Sequence, residues 1–301
     1  MEQFVNTFFN CVSLSSIILL TSLGLAITFG LMKVINMAHG EFLMIGAYMT
    51  YVVQNIFERF FPTAIFSLYY FFALIAAFVV TFFLGAVLER TIISRLYGRE
   101  IDSLLATWGI SLILQQAARS IFGMQGVNVR APSFLNGGIT IGGCTFSYNR
   151  MFILGLVIVC LIAVWYIMYR STFGKQMRAV MQNRAMAQCM GINSKKVDMI
   201  TFSFGSGLAG LAGCSVALLG SIDSTIGQSY IVNSFISVVL GGVGKLTGTV
   251  LGSSIIGFGS IGFENYTSAS IAKAAVLLIV IIVLQFRPQG LFSVKSRKLD
   301  E

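Results

Sequence analysis

The stretch "SLSSIILLTSLGLAITFGLMKVINMAHGEFLMIGAYMTYVV" (residues 13–53) holds two long apolar runs, at 11–32 and 38–57, with only 33–37 between them. Each run is close to the ~20 largely apolar residues that a helix needs to cross the hydrocarbon core of a bilayer. Two such runs with no room for a soluble loop read as a pair of membrane helices joined by a tight re-entry. The junction carries Asn36, His39 and Glu41, and His39 is the sole histidine among 301 residues. Three readings are open for this trio: a catalytic or metal site, a structural polar knot, or part of a path for a polar solute.

Composition supports the membrane reading. The chain is 56% hydrophobic, only 10% charged, and has a mean hydropathy of +0.85. Soluble domains carry about 25% charged residues. Further apolar segments run at 63–88, 102–122, 151–169, 198–221, 229–244, 246–263 and 268–286. The expected fold is an all-α polytopic membrane protein of about eight or nine helices, with 229–263 forming either two spans or one re-entrant hairpin. The N-terminus lacks the basic region and cleavage site of a signal peptide, so its apolar run reads as the first span. The whole chain, 1–301, reads as one membrane domain, with 124–150 as an ordered outer loop showing short β-like alternation and 171–197 as a cytoplasmic loop.

The formal net charge of +9 raises nucleic acid as a partner. No basic soluble domain carries that charge, and anionic headgroups with the positive-inside bias account for its sign. Fifteen of the twenty basic residues fall into five groups, at Lys33, at 90–99, at 170–196, at Lys245 and in the tail from Arg287. Alternating spans put all five on one side, which gives an outer N-terminus and a cytoplasmic C-terminus. The five cysteines have no CxxC spacing. Cys11, Cys160 and Cys214 lie in apolar runs and read as packing residues.

Small residues four apart, namely Ser206 with Gly210, Ala209 with Gly213, and Gly248 with Gly252, predict close helix–helix approaches. Polar residues inside spans are costly unless paired or facing water. Those at Asn36, His39, Glu41, Thr107, Gln116, Asp223 and Gln228 are candidates for a substrate path, although Asp223 and Gln228, near an outer span end, also fit simple solvation. Gln115 is a further intramembrane polar residue, and Arg119 can snorkel to the interface. A broken helix at 33–41 would expose backbone groups to a polar cavity, as transporters do; the same residues could equally brace a tight turn.

Enzymatic chemistry has little support. One histidine and one glutamate do not make a zinc site, and neither HExxH nor GxSxG is present. "VVLGGVGKLTGT" (238–249) resembles a phosphate-binding loop but has Val239 and Leu246 where the Walker pattern needs Gly and Ser or Thr. The chain is expected to have no ATP site, metal or cofactor of its own.

In "STFGKQMRAVMQNRAMAQCMGINSKKVDM" (171–199), Met177, Val180, Met181, Met186 and Met190 alternate with Arg178, Gln182, Arg184 and Gln188. This pattern predicts one amphipathic helix over 176–191 closed by Gly191, lying on the membrane surface or docked in a partner's groove.

"GLAITFGLMKVINMAHGEFLMIGAY", "MRAVMQNRAMAQCMGIN", "VVLGGVGKLTGTVLGS" and "RPQGLF" together resemble the signature stretches of the branched-chain amino-acid and urea class of ABC-importer permeases, in the family's order from about Leu25 to Phe292. "LYGREIDSLLATWGISLILQQAARSIFG" and "GQSYIVNSFISVVLGGVGKLTGT" are similar to the urea-transporting branch. The resemblance implies a non-enzymatic transport subunit in a bacterial inner membrane. It also implies a second permease subunit, two cytoplasmic ATPases that consume the ATP, and a periplasmic solute-binding protein. By the same resemblance 176–191 is the coupling helix, with Met177, Arg178, Met181, Arg184, Met186 and Gly191 at the ATPase. Urea is the expected solute. A branched-chain amino-acid importer is the alternative, and a self-contained channel or secondary transporter the third reading.

Overall fold

Small side chains decide which helices of this protein touch. The structure, a computed structural model, describes residues 2–32, 34–62, 66–141, 144–264, 267–287 and 290–292. Its helices are α1 (Glu2–Met32), α2 (His39–Phe60), α3 (Tyr69–Thr91), α4 (Glu100–Phe122), α5 (Tyr148–Tyr169), α6 (Thr172–Gln182), α7 (Arg184–Cys189), α8 (Ser194–Ala217), α9 (Ile226–Gly241), α10 (Leu246–Glu264) and α11 (Ala269–Phe286).

At the centre is α8, which packs on α1, α2 and α3 and is buried along most of its length. A methyl group placed on Gly210 would run into Thr81 of α3 and the Ala77 carbonyl, and one on Gly213 into Leu43 and Ala47 of α2. Backbones this close gain dispersion contacts that larger side chains would prevent. The small-residue spacing read from the sequence therefore corresponds to real helix contacts. Around this centre α10 packs on α1 and α9, α11 on α10, and α5 on α1.

The α9–α10 pair is an antiparallel hairpin. Gly241 faces Gly248, Ser237 faces Gly252, and the turn between the helices contains Gly242 and Gly244 at φ of 100° and 92°. Only glycine adopts such angles without strain. The loop that imitates a phosphate-binding motif is thus a helix-hairpin turn.

Among the described residues six segments are long and apolar enough to cross a membrane: Phe4–Gly30, Phe66–Arg95, Tyr148–Tyr169, Ser194–Ala217, Leu246–Glu264 and Ala269–Phe286. The nine apolar runs read from the sequence correspond to α1–α5 and α8–α11, of which α2, α4 and α9 fall outside these six. α2 carries Glu41, Glu58 and Arg59, α4 carries Asp102, Gln115, Gln116 and Arg119, and α9 has only 16 residues. These three join the bundle through packing rather than through uniform apolarity. The fold is mostly helical rather than purely so, because the 124–150 loop contains an antiparallel hairpin of β1 (Gly138–Ile141) and β2 (Cys144–Ser147).

The described basic groups gather at one end of the bundle. Residues 89–97 and 184–199 line a common pocket there, Val34 packs with Ile93 and Tyr97, Gly30 abuts Gly244, and Gly242 abuts Phe292. Lys33, Lys295, Arg297 and Lys298 lie outside the described residues, as do Pro288 and Gln289 of the RPQGLF stretch. At the opposite end Gln54 Oε1 accepts the Arg130 backbone N–H at 2.8 Å, Arg130 pairs with Glu58 at 3.2 Å, and Val127 and Ile222 exchange backbone hydrogen bonds.

Gly46→Ala is expected to destabilise the bundle by about 1–3 kcal/mol through overpacking, because its new methyl meets the Gly210 backbone. Gly109→Ala, which meets nothing within 4 Å, is expected to be neutral or to stabilise by up to ~1 kcal/mol. Thermal unfolding of the two variants in detergent compares them directly.

Candidate functional site

Helix α1 ends at Met32 and α2 begins at His39, so the chain reverses between them without helical hydrogen bonds of its own. Side chains close the gap. Asn36 Oδ1 accepts the backbone N–H of Ala38 at 3.0 Å, an Asx turn that starts α2. From α4, Thr107 Oγ1 accepts the N–H of Met37 at 3.1 Å. The unwound segment is thus held on one side by its own asparagine and on the other by α4.

Glu41 lies in the first turn of α2, where the helix dipole favours an acidic side chain. It is only 1% exposed. Its Oε1 accepts hydrogen bonds from Ser111 Oγ at 2.9 Å and Gln115 Nε2 at 2.8 Å, and Gln115 also donates to Ser111 at 3.3 Å. Ser103, Thr107, Ser111 and Gln115 are all buried and spaced four apart, forming one polar stripe along α4 that faces the start of α2. The remaining faces of α4 are largely exposed, including Trp108 and Ile113.

His39 points the other way. Its Nε2 lies 3.2 Å from the Thr21 carbonyl of α1. A carbonyl can only accept, so Nε2 carries the proton and Nδ1 is the bare acceptor in the neutral ring. Thr21 Oγ1 in turn accepts from Ser234 of α9 at 2.7 Å. The space between Thr21, His39, Tyr230 and Ser234 is too small to admit a water molecule. His39 therefore bridges α1, α2 and α9, while Glu41 bridges α2 and α4.

Six buried side-chain atoms have no hydrogen-bond partner among the described residues, and three of them are Asn36 Nδ2, His39 Nδ1 and Glu41 Oε2. Each such atom costs about 1–3 kcal/mol unless something polar meets it. Half of the unpartnered atoms thus fall within six residues of chain. No group of three metal-ligating side chains occurs among the described residues.

Of the sequence candidates, Asn36, Glu41 and Thr107 come together at this turn and His39 lies on its far side. Gln116, Asp223 and Gln228 are exposed and do not join it: Gln116 faces away from the polar stripe, and Asp223 accepts from the N–H and hydroxyl of Thr225 just before α9. Ser111, missed in the sequence, completes the Glu41 cluster; its signal was the four-residue spacing from Thr107 to Gln115.

The 176–191 segment also differs from expectation. It is two helices, α6 and α7, broken at Asn183, whose side chain accepts the Met186 N–H at 3.0 Å and caps α7. Gly191, at φ 82°, follows α7 as expected. Met177 is buried in the main core with Val164, Met168 and Val197, so it faces the bundle and not a partner. Arg178 donates to the Met168 carbonyl and lies over the Tyr169 ring. Arg184 pairs with Asp198 and lies over Tyr97. Burial, with the carboxylates of Asp198 and Glu89 nearby, raises the Tyr97 phenol well above its ordinary range, so its O–H remains a donor to Glu89 at 3.2 Å. Both arginines brace the loop from within. Met186 and Met190 are exposed at 62% and 77%, and Met181 is at its edge.

The model of the family described as "Branched-chain amino acid transport system / permease component" matches residues 7–285. The BraD permease protein of a high-affinity branched-chain amino acid transport system in Pseudomonas aeruginosa is 26% identical over 289 residues, covering 94% of this chain and 93% of its own. Its LivH counterpart from Escherichia coli K12 is 26% identical over 301 residues, covering 96% and 95%. The ribose import permease RbsC of the same strain is 33% identical over 145 residues, 44% of each chain. No solved structure matches significantly.

Ser111→Ala and Gln115→Leu each remove one donor to Glu41 and are expected to destabilise the protein by about 1–3 kcal/mol. Since both act on one oxygen, the double variant is expected to depart from additivity by roughly 0.5 kcal/mol or more. Gln116→Leu is expected to leave stability unchanged. Thermal unfolding of the four variants in detergent tests the cluster.

Proposed function

The chain belongs to the branched-chain amino acid transport permease family, and we propose that it forms, with a second permease subunit, the membrane path of an ATP-driven importer for branched-chain amino acids. Two cytoplasmic ATPases would supply the ATP chemistry and an extracytoplasmic binding protein the solute. The relatives matched along almost their full length are named for branched-chain amino acids, which supports this substrate over the urea suggested by the sequence blocks. In this reading the end of the bundle that gathers the basic residues is cytoplasmic, and the membrane is a bacterial inner membrane.

The observation that carries the path is the cluster of unpartnered polar atoms on a broken helix. Asn36 Nδ2 is a donor and Glu41 Oε2 an acceptor, both on or beside 34–41, while His39 Nδ1 lies on the far side of the turn. A solute with an ammonium and a carboxylate offers the complementary groups, and an unwound segment followed by a helix N-terminus is where transporters hold such solutes. Because α4 packs chiefly on α2, movement of α4 is the simplest way to open the polar stripe to a solute. The remaining candidates Gln116, Asp223 and Gln228 belong at most to the approach to this site.

One feature favours urea as a second reading: among the described residues no Lys or Arg forms an ion pair with Glu41, whose partners are Ser111 and Gln115. A neutral solute needs only such amide, hydroxyl and carboxylate partners.

At the cytoplasmic end, exposed Met186 and Met190 present flexible apolar side chains suited to a protein groove, and Met181, Arg178, Arg184 and Met177 support that surface from behind.

In uptake with a labelled solute by cells expressing the intact transporter, excess leucine is expected to abolish accumulation and excess urea to leave it unchanged; inhibition by urea alone reverses the substrate assignment. Glu41→Gln is expected to reduce uptake by about tenfold or more, one interaction of about 1.4 kcal/mol, while volume-conserving Met44→Leu is expected to keep it. Met186→Asp combined with Met190→Asp is expected to release the ATPases on purification, and retained coupled uptake would rule out docking at this surface.

A further inference from the structure

A cavity of about 590 Å³ opens where the end of α3 meets the α7–α8 junction. Its walls include Arg90, Arg95, Lys195 and Lys196, all exposed side chains. Arg184 and Glu89 also border it, but both are committed inside the protein, Arg184 to Asp198 and Glu89 to Tyr97. Among the described residues none of the other four basic side chains has a carboxylate partner. Four positive charges thus converge without internal neutralisation.

Their placement runs against local helix chemistry. Asn193 caps α8, accepting the Lys196 N–H at 3.1 Å, so Lys195 and Lys196 stand in the first helical turn. That end of a helix is already positive and favours acidic side chains. Two lysines there weaken the helix unless an anion sits against them.

The surface leading to the cavity is apolar. Along α3, Phe72, Ile75, Val79, Phe83 and Val87 are all exposed, at 54%, 64%, 56%, 68% and 42%. They recur at helical spacing on one face, and the same face ends at Arg90 in the cavity wall. The opposite face of α3 packs on α8. A ligand filling both features needs an anionic head and a long apolar chain running along the helix axis.

We propose that this cavity binds the phosphate headgroup of an anionic phospholipid, whose acyl chain lies along the exposed stripe of α3. Basic pockets between helices at the membrane surface recognise such headgroups. The bound lipid would neutralise the first turn of α8 and tie it to the end of α3, so that the segment carrying α7 and Met186 is held against the membrane surface. The proposal uses only the membrane placement of the bundle and stands apart from the solute that is carried.

The test uses the intact transporter, purified with its partner subunits and reconstituted with equal phosphatidylglycerol and phosphatidylcholine. Native mass spectrometry of the released complex counts the lipids retained. Phosphatidylglycerol is expected to be retained about tenfold or more over phosphatidylcholine. Lys195→Gln with Lys196→Gln is expected to remove most of that preference, since each basic residue near the surface contributes a factor of about five and the two together about 25. Arg99→Gln, at a basic residue paired with Asp102 outside the cavity, is expected to keep it. Val87→Asn, on the stripe, is expected to weaken retention while leaving binding of inorganic phosphate unchanged. Equal retention of the two lipids overturns the proposal. So does displacement of phosphatidylglycerol by millimolar inorganic phosphate, which identifies a free-anion site. Loss of the ATPases from the lysine variant with lipid preference intact overturns it as well, and assigns the cavity to a partner protein.

Discussion

The constraint on which this structure depends is the approach of the α8 backbone to its neighbours. Within a bilayer, apolar side chains gain nothing by leaving lipid for protein, so packing contacts and satisfied polar groups have to hold the bundle together. Glycines on α8 let α1, α2 and α3 come within backbone contact at once. The same closeness shapes the region of the candidate site: Gly40 faces Gly227 of α9, and Gly24 faces both Gly205 and the His39 ring. A methyl group at Gly40, Gly227 or Gly24 would press on α2 at the polar turn, and one at Gly205 would press on α1 beside it. The packing of the bundle and the shape of the candidate site thus depend on the same residues.

The two polar residues that frame the turn do different work. His39 is enclosed by α1 and α9 with one good hydrogen bond and a bare second nitrogen. Glu41 meets α4, whose outer faces are open. A buried carboxylate with both donors on a single, lightly packed helix is held by an element that can move. The question raised by the sequence, whether these residues brace the turn or face a path, therefore has a divided answer. Asn36 and Thr107 brace the turn, His39 locks it to the bundle, and Glu41 has an oxygen left for something else.

The sequence made much of this legible where a single local pattern carried the information. Apolar runs located the helices, four-residue spacing located close approaches such as Gly210 and Gly213, and β-like alternation marked the 124–150 loop in which the hairpin lies. It failed where the answer depended on partners distant in the chain. Nothing local to Met177 distinguishes it from Met186, yet one packs against Val164 and Val197 while the other faces outward. Asn183 reads as one more polar residue in an amphipathic helix, although its capping geometry divides that helix in two. Gln116 and Gln115 are adjacent and identical in type. Only the direction in which α4 faces α2 separates a buried Glu41 donor from an exposed side chain. The nine apolar runs correspond to α1–α5 and α8–α11, and α2 and α4 carry in addition the polar faces that the bundle receives.

The basic residues show how one compositional signal divides in three dimensions. Arg178 and Arg184 have the same charge and spacing as their neighbours, but a carbonyl, a carboxylate and two tyrosine rings absorb them into the fold. Arginine is suited to this role because its planar guanidinium can stack and hydrogen-bond at the same time. Among the described residues Arg90, Arg95, Lys195 and Lys196 have no carboxylate partner, and all four border one cavity. A positive-inside bias alone requires only that charge lie on one side; it does not require four side chains to converge, nor two of them to occupy a helix end that disfavours them. Convergence at a local energetic cost is the mark of a site selected for a ligand.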